Sequence, residues 1–422
     1  MYDSRLVKIA AAVGVLVLTL GVQGCPRETV GWTYGGYGYD VAYAVQETSD
    51  GNYIVAGYSD SNDDRDYGVY LLKVDPTGAE LWSRAYLEPE TSASARAVQE
   101  TSDGGFALAG TKYSYEDGND RMFLVKTDAS GELLWEKTFS EIEEYESDAY
   151  AVQETSDGGL VVAGSIWARI PGKVDYSYFH DMYLVKTDED GNLLWSQRYS
   201  DGNGADTAQA VQETSDGGLI VAGYTHDILG DYREAMYLVR TDVNGNILWE
   251  GTFAEDEGHE ARAYGVEEMG DGGFVIAGNS WDPYGYGLDD SYHGPVAYAV
   301  KTDADGNLLW DSTYGEPEDE TYVYAMDATS DGGFVLAGER YAGPPYFSSM
   351  CLTRIDADGG LLWDRSYGHP GRRWRFAYDV QETSSGGFIL AGESEWMGVY
   401  TFDTDAYLVR TDADGNPVSG NP

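Results

Sequence analysis

The feature that most constrains the fold of this chain is a block of nine residues that recurs seven times. One copy reads Ala151-Val-Gln-Glu-Thr-Ser-Asp-Gly-Gly159. The aspartate of its Asp-Gly step falls at Asp50, Asp103, Asp157, Asp216, Asp271 and Asp331, and Ser385 takes that place in the seventh copy. Successive positions are 53 to 60 residues apart. A repeat of this length is typical of propellers and solenoids.

A second block follows each copy of the first and reads Tyr183-Leu-Val-Lys-Thr-Asp-Glu-Asp-Gly-Asn-Leu-Leu-Trp195 in the third unit. Each unit therefore contains four short β-rich runs, which in this unit are 151–155, 160–163, 183–187 and 193–195. Small turns containing glycine separate the runs of each pair, as in β-hairpins. No stretch has the helical periodicity of a crossover helix. The pattern predicts an all-β protein, a seven-bladed β-propeller with four-stranded antiparallel blades.

The two ends of the repeat region indicate a closed ring. The last unit stops after Asn416 without its fourth strand, whereas Val30-Gly-Trp32-Thr-Tyr-Gly-Gly36 matches that missing strand near the N-terminus. The N-terminal strand around Trp32 is therefore expected to complete the C-terminal blade. Such closure removes the exposed sheet edges that an open array would leave, and an open solenoid would need separate caps instead.

The paired motifs V-Q-E-T-S-D-G-G and K-T-D-x-D-G-N-L-L-W resemble the delta-60-type β-propeller repeats of bacterial and archaeal secreted or lipid-anchored proteins. The resemblance covers residues 30 to about 416 and implies a propeller fold without implying an activity. A weaker similarity links the segment Asp75-Pro-Thr-Gly78-Ala-Glu-Leu-Trp82 to quinoprotein propeller repeats. In those repeats an Asp, a Gly and a Trp four residues beyond the Gly lock adjacent blades.

The first 25 residues have the features of an export signal. Arg5 and Lys8 precede an apolar run, which ends before Val22-Gln-Gly-Cys25. The run is too short for a transmembrane helix and fits a secretory signal. Its ending resembles the lipobox of prokaryotic lipoproteins, in which the cysteine is lipidated; an ordinary signal peptide is the alternative. We expect a signal peptide at 1–24, a tether at 25–29 anchored through Cys25, a propeller at 30–416 and a C-terminal tail at 417–422.

The charge balance limits the classes of partner. The chain has 73 acidic and 26 basic residues, a formal net charge of −47. Nucleic-acid binding needs clustered Lys and Arg, so that class is excluded. Anionic membranes would repel the folded body, and membrane contact is expected only through the lipid anchor. Cys351 is the one cysteine besides Cys25, so the lipoprotein would have no disulfide framework.

The loops separate into two faces of the predicted propeller. The turns Ser-Asp-Gly-Gly and Asp-x-Asp-Gly-Asn repeat almost unchanged, whereas the loops of the opposite face, here called the variable face, differ in length and composition. Varied loops on a rigid scaffold are where binding is usually placed. The candidate ligand-binding face comprises Trp167, Tyr176, Tyr178, His180, Trp281, Tyr284, Tyr286, Tyr292, His293, Tyr341, Tyr346, Arg372, Arg373, Trp374, Trp396 and Tyr400. Packing of these aromatics onto the blade tops is the alternative.

Metal and catalytic motifs are weak in this sequence. The five-residue turns such as Asp188-Glu-Asp190-Gly-Asn192 have the composition of tight hairpins and are shorter than a calcium loop. The five histidines lack zinc-ligand spacing. No nucleophile elbow, phosphate loop or dinucleotide fingerprint occurs. We therefore predict no cofactor, with weak Ca²⁺ binding by the acidic loops as an alternative, and no catalytic residues.

These features together predict an exported protein, lipid-anchored through Cys25 at the cell envelope or cell surface. It would be a binding or scaffolding module without enzymatic activity, and its ligand would be a protein, a peptide or a glycan at the variable face. The alternative is a propeller enzyme, either glycan-cleaving or a quinoprotein-like oxidoreductase. With so many carboxyl groups, paired acids for glycoside chemistry are always available, and the sequence nominates no pair.

Overall fold

The computed structural model describes residues 31–36, 38–60, 68–86, 90–116, 118–141, 146–169, 178–200, 204–226, 233–255, 258–282, 294–315, 319–342, 348–368, 373–397 and 402–418. These residues form 28 strands arranged as seven four-stranded antiparallel sheets. No helix in the described ranges is long and apolar enough to cross a membrane. The prediction of an all-β, seven-bladed propeller is confirmed.

The strands follow the chain from blade to blade. After β1 (Trp32–Tyr34), blade 1 contains β2 (Asp40–Glu47), β3 (Tyr53–Ser59), β4 (Gly68–Val74) and β5 (Glu80–Tyr86). Blade 2 contains β6 (Thr91–Glu100), β7 (Phe106–Ser114), β8 (Asp120–Thr127) and β9 (Leu133–Phe139). Blade 3 contains β10 (Ser147–Glu154), β11 (Leu160–Arg169), β12 (Tyr178–Thr187) and β13 (Leu193–Tyr199). Blade 4 contains β14 (Ala205–Glu213), β15 (Leu219–His226), β16 (Glu234–Thr241) and β17 (Ile247–Phe253).

The remaining blades follow the same order. Blade 5 contains β18 (Glu260–Glu268), β19 (Phe274–Trp281), β20 (Val296–Thr302) and β21 (Leu308–Tyr314). Blade 6 contains β22 (Asp319–Ala328), β23 (Phe334–Ala342), β24 (Ser348–Ile355) and β25 (Leu361–Tyr367). Blade 7 contains β26 (Arg373–Glu382), β27 (Phe388–Met397) and β28 (Phe402–Arg410), and β1 is its fourth strand. Trp32 pairs with Leu408 and Tyr34 with Ala406, which confirms the predicted closure.

The apolar core consists of seven clusters, each shared by two neighbouring blades. Between blades 7 and 1, for example, Val45 and Leu72 pack with Ile389 and Leu408, all buried. Both faces of the two middle strands in a blade are covered by its neighbours, which explains their continuous apolar runs. Burial of this kind supplies the main stabilisation of a fold without disulfides.

A tryptophan and a glycine lock each pair of neighbouring blades at the outer edge. Gly78 of blade 1 has φ of +85°, and a Cβ atom there would lie 2.4 Å from the Trp32 ring of blade 7. The same contact joins Gly131 to Trp82 and recurs through the ring to Gly415 and Trp363. The tryptophan therefore packs on the glycine of the next blade. Glycine is required there because the ring leaves no room for a side chain and the backbone is left-handed.

Several segments assigned to variable loops are strand instead. β11 continues to Arg169, β23 to Ala342 and β27 to Met397, and the neighbouring strands pair along these extensions. The sequence motif marks only the repeated centre of each strand, whereas pairing continues wherever two chains remain adjacent and their backbone groups need partners.

Candidate functional site

The innermost strand of every blade carries a β-bulge halfway along its length. The register with the second strand shifts, for example between Ala42 and Ala44, so one residue is left unpaired. A bulge re-aims its extra residue away from the regular alternation. The seven residues at this position line one cavity of about 510 Å³ on the propeller axis; they are Tyr43, Arg96, Tyr150, Gln209, Tyr264, Tyr324 and Tyr378. We call this cavity the axial channel.

Four of these tyrosines form a continuous aromatic arc on the side of blades 5, 6, 7 and 1. Ring centroids are 5.8 Å apart for Tyr264 and Tyr324, 5.8 Å for Tyr324 and Tyr378, and 5.2 Å for Tyr378 and Tyr43. Towards the variable face the arc continues through Tyr58, Tyr322, Tyr341, Trp374 and Phe376. Such a surface offers apolar faces together with hydroxyl groups.

Two tyrosines of the arc donate hydrogen bonds to carboxyl groups behind them. The Tyr324 hydroxyl lies 2.8 Å from Oε1 of Glu339, and the Tyr378 hydroxyl lies 2.8 Å from Oε1 of Glu393. Burial raises the pKa of Glu339 to about 7, with Glu393 adding to the rise. Burial also raises the pKa of Tyr324 and of Tyr378, so both hydroxyls keep their protons and stay donors. These contacts hold the two rings in the arc.

Three further carboxyl groups, here called the channel carboxyls, belong to the innermost strands of blades 5, 6 and 7. Burial raises the pKa of Glu267 to about 7, and the nearby Asp327 raises it further. The pKa of Asp327 is raised to about 6 and that of Asp379 to about 7, again mainly by burial. Glu267 and Asp379 line the cavity together with the tyrosines. Near neutral pH these groups are poised to give or take a proton.

The repeated Gln-Glu pairs bind neighbouring blades to each other. Oε1 of Gln46 accepts the backbone N–H of Glu100 in the next blade, at 2.5 Å. The Glu100 carboxylate in turn accepts the backbone N–H and the hydroxyl of Ser49, at 2.6 and 3.0 Å. This Ser–Glu clasp recurs at six of the seven interfaces. At the interface of blades 5 and 6 both partners are replaced, by Gly270 and Ala328.

The structure brings few of the predicted variable-face residues to the axial channel. Tyr341 and Trp374 join the aromatic arc, with ring centroids 6.4 Å apart. Trp167 and His180 instead stack on each other at 4.6 Å, and burial lowers the pKa of His180. Trp281 packs against Arg262. For these last three residues the alternative interpretation, packing onto the blade, fits the observed contacts.

The other predicted site residues lie wholly or partly outside the described part of the structure. Tyr178, Arg373 and Trp396 lie in described strands, but their side chains are outside the described set. Outside the described residues are Cys25, Tyr176, Tyr284, Tyr286, Tyr292, His293, Tyr346, Arg372 and Tyr400. Their assignment to a binding face stays a prediction.

The acidic five-residue turns act as hairpin turns. Oδ1 of Asp188 accepts the backbone N–H groups of Asp190 and Asn192, at 3.0 and 2.8 Å. Hydrogen bonds from Asn192 lower the pKa of Asp188. Turn formation thus accounts for these aspartates. Within the described ranges, no group of three His, Cys, Asp or Glu residues is placed to hold a metal ion.

The channel carboxyls are not among the site residues predicted from the sequence, although each of them replaces the residue that most other units have. Glu267 and Asp327 stand where five of the other units have Gln, and Asp379 stands where most units have Ala. A pair that repeats in nearly every unit does not by itself indicate a unique active site. The departures from that regularity, all in blades 5 to 7, mark the site instead.

The fold and the channel together define a seven-bladed propeller with a tyrosine-lined, carboxyl-bearing axial site. A family model described as outer membrane protein assembly factor BamB, of the quinoprotein type, matches residues 69–271. This match supports the propeller and agrees with the weaker of the two resemblances; the delta-60-type family is not shown. It is also consistent with an envelope location and with protein interaction. No curated protein sequence matches the chain.

Several solved structures resemble the chain in fold. The polysaccharide lyase Uly1 is 11% identical, with a TM-score of 0.52 over 93% of this chain and 94% of that one. The propeller domain of the trilobed protease from Pyrococcus furiosus is 10% identical, with a TM-score of 0.49 over 92% and 97%. An α-L-arabinofuranosidase from Fusarium graminearum is 10% identical, with a TM-score of 0.48 over 90% and 98%.

The prediction that this protein is not an enzyme is wrong. It rested on the absence of a known catalytic motif, yet an enzyme, the polysaccharide lyase Uly1, resembles this chain in fold. In a propeller, residues distant in sequence converge on the axis, so a short-range motif is a poor guide to activity.

Proposed function

We propose that the protein is an exported, lipid-anchored propeller that binds a glycan in its axial channel and cleaves it. The observation that carries the proposal is the placement of Glu267 and Asp379 in the same cavity as the tyrosines. Aromatic rings pack on the apolar faces of sugar rings, and the hydroxyl and carboxyl groups bind sugar hydroxyls. Hydrolysis of a glycosidic bond typically uses two carboxyl groups, one of them protonated.

The roles of the carboxyl groups follow from their surroundings. Asp379 accepts the backbone N–H groups of Val45 and Val380, at 2.7 and 2.8 Å, which fixes its orientation. Glu267 accepts a hydrogen bond from Nε2 of Gln212, at 2.6 Å. Both groups have a pKa of about 7. One can therefore donate a proton to the leaving glycosidic oxygen, while the other takes a proton from the water that attacks the anomeric carbon. Glu339 and Glu393 hold the tyrosines and are positioning residues.

The test replaces each carboxyl residue by the uncharged residue that other units carry at the same position. Glu267→Gln and Asp379→Ala each restore the residue that most other units carry, so the ring should still close. Purified protein and both variants are incubated with a panel of polysaccharides, and new reducing ends and glycan binding are measured separately. We expect cleavage by the native protein and a loss of cleavage of at least about 100-fold in each variant, with glycan binding weakened by much less than cleavage. Native protein without cleavage or binding would contradict the proposal.

Export and anchoring are tested independently. Expression in a bacterial host with labelled fatty acid should label the native chain, whereas Cys25→Ser should stay unlabelled. A mature N-terminus other than Cys25 would contradict the anchor and leave the channel proposal intact.

A second candidate function is scaffolding of another protein at the envelope. The match to the BamB model over residues 69–271 favours it. The two candidate functions need different residues, because a scaffold with Glu267→Gln or Asp379→Ala should still bind its partner protein as well as the native chain does.

A further inference from the structure

Arg96 differs in charge from every other member of the channel ring. Five units place tyrosine at the bulge position and one places Gln209, whereas blade 2 places an arginine. Arg96 is also the ring member that is exposed; the other six are intermediate in burial. Its guanidinium carbon lies 4.1 Å from the centroid of the Tyr43 ring, a stacked cation–π contact. This contact fixes the cation on the wall of the channel.

The described residues give Arg96 no ion-pair partner. Several other arginines have one; for example, Arg340 pairs with Asp364 at 2.6 Å and Arg198 with Glu141 at 2.5 Å. With 73 acidic and 26 basic residues, a carboxylate is seldom far from any cation. Arg96 is exposed and packs on an aromatic ring. A guanidinium placed in this way can bind a planar anion through two parallel hydrogen bonds.

Arg96 and Tyr43 lie where two cavities meet. Both residues line the axial channel and also a second cavity of about 310 Å³, whose other walls include Tyr58 and Tyr113. A chain of sugar units passing from one cavity to the other must cross this pair. The unit at the crossing would stack against Tyr43 and face the guanidinium of Arg96.

The surrounding charges restrict where a ligand can carry its own negative charge. Asp120 and Asp148 line the second cavity, and Asp148 accepts a hydrogen bond from the Thr111 hydroxyl at 2.8 Å. Glu267 and Asp379 line the axial channel. An anionic group would meet like charges at these positions, whereas beside Arg96 it meets a cation.

We propose that Arg96 binds the carboxylate of an acidic sugar, so that the glycan bound in the channel is a uronic-acid-containing chain. This inference rests on the proposed function and names its ligand class. The sugar ring would pack on Tyr43 while its carboxylate receives two hydrogen bonds from the guanidinium. The neighbouring units would extend into the axial channel on one side and towards Tyr58 and Tyr113 on the other.

The experiment compares oligouronates with the same oligosaccharides after chemical reduction of their carboxylates to neutral alcohols. Binding to the native full-length protein is measured by calorimetry for oligosaccharides of several uronate backbones. We expect at least one oligouronate to bind at least tenfold more tightly than its reduced form. Equal affinity for the charged and reduced forms would overturn the role of Arg96 while leaving glycan binding in place.

Variants at residue 96 separate charge from shape. Arg96→Gln supplies the residue that blade 4 carries at this position, so the variant should fold with an unchanged thermal unfolding midpoint. We expect it to bind charged and reduced forms within about threefold of each other. Arg96→Lys keeps the charge without the paired donors and should retain an intermediate preference. If Arg96→Gln kept the full preference for the charged over the reduced oligosaccharide, the inference would be overturned. If the native protein bound no glycan at all, the proposed function would be overturned as well.

Discussion

Ser384 in the last blade and Glu47 in the first are joined although 337 residues separate them in sequence. The Ser384 hydroxyl donates to Oε1 of Glu47 at 2.8 Å, and the Ser384 backbone N–H donates to the same carboxylate. The contact is one of six Ser–Glu clasps, which lie on the face of the propeller opposite the variable face. Together with the pairing of Trp32 and Leu408, it makes the first and last blades neighbours.

Removal of this closing clasp should destabilise the whole ring. Glu47→Ala removes both hydrogen bonds from Ser384, and because water reaches this exposed contact we expect a loss of about 1 kcal/mol in the free energy of unfolding. The measurement is chemical denaturation followed by tryptophan fluorescence. Glu189→Ala, at an exposed turn position where four other units carry alanine, is the control and should change the stability by less than about 0.5 kcal/mol.

Conversely, the missing clasp between blades 5 and 6 can be built. A Cβ atom at Gly270 would meet nothing within 4 Å, and Ala328 is exposed, so both sites accept side chains. Gly270→Ser with Ala328→Glu should raise the free energy of unfolding by about 1 kcal/mol more than the two single changes combined. Purely additive effects in the double-mutant cycle would contradict the assignment of the clasp.

The Trp–Gly lock is tested by two glycines with similar backbones. Gly78 and Gly51 have φ of +85° and +78°, but only Gly78 has a ring against it, Trp32 at 2.4 Å. Alanine at Gly51 should cost about 1 kcal/mol from backbone strain alone. Alanine at Gly78 should cost roughly 2 kcal/mol more, because the Trp32 ring must move. Equal costs in thermal and chemical denaturation would refute the lock.

The channel carboxyls should make stability depend on pH between about 4 and 7. Glu267, Asp327 and Asp379 have raised pKa values in the folded protein, so the native state holds more protons than the unfolded state in this window. The free energy of unfolding therefore falls as the pH rises and levels off above about 7. Glu267→Gln with Asp327→Gln should flatten this slope; an unchanged slope would show that the two groups titrate normally.

Cys351 should be chemically silent in the folded protein. The thiol is fully buried in β24, and burial raises its pKa to about 12. Since the thiolate is the reactive species, a thiol reagent should modify Cys351 only after unfolding. In a Cys25→Ser variant, where Cys351 is the one thiol, labelling should follow the denaturation curve. Rapid labelling without denaturant would contradict the buried position.

The sequence by itself determined the architecture. Seven copies of two turn motifs specify seven sets of hairpins, and the split unit at the two ends specifies how the ring closes. The Gly-to-Trp spacing reflects a lock that every blade uses. These features are local and repeated, so each unit reports the same backbone geometry independently, and the period alone leads to the fold.

The tertiary structure decided where the chemistry lies. Tyr43 and Tyr378 come from opposite ends of the chain, yet closure of the ring brings their rings within 5.2 Å. Trp167 and His180 are predicted binding residues, and the pairing of β11 with β12 stacks their rings on each other. Which side chains meet on an axis depends on the curvature of all seven blades and on one bulge in each inner strand. Neither the curvature nor the position of the bulge can be predicted from one repeat. The departures at Arg96, Glu267 and Asp379 could therefore be assigned to a site only once the closed ring placed them around one cavity.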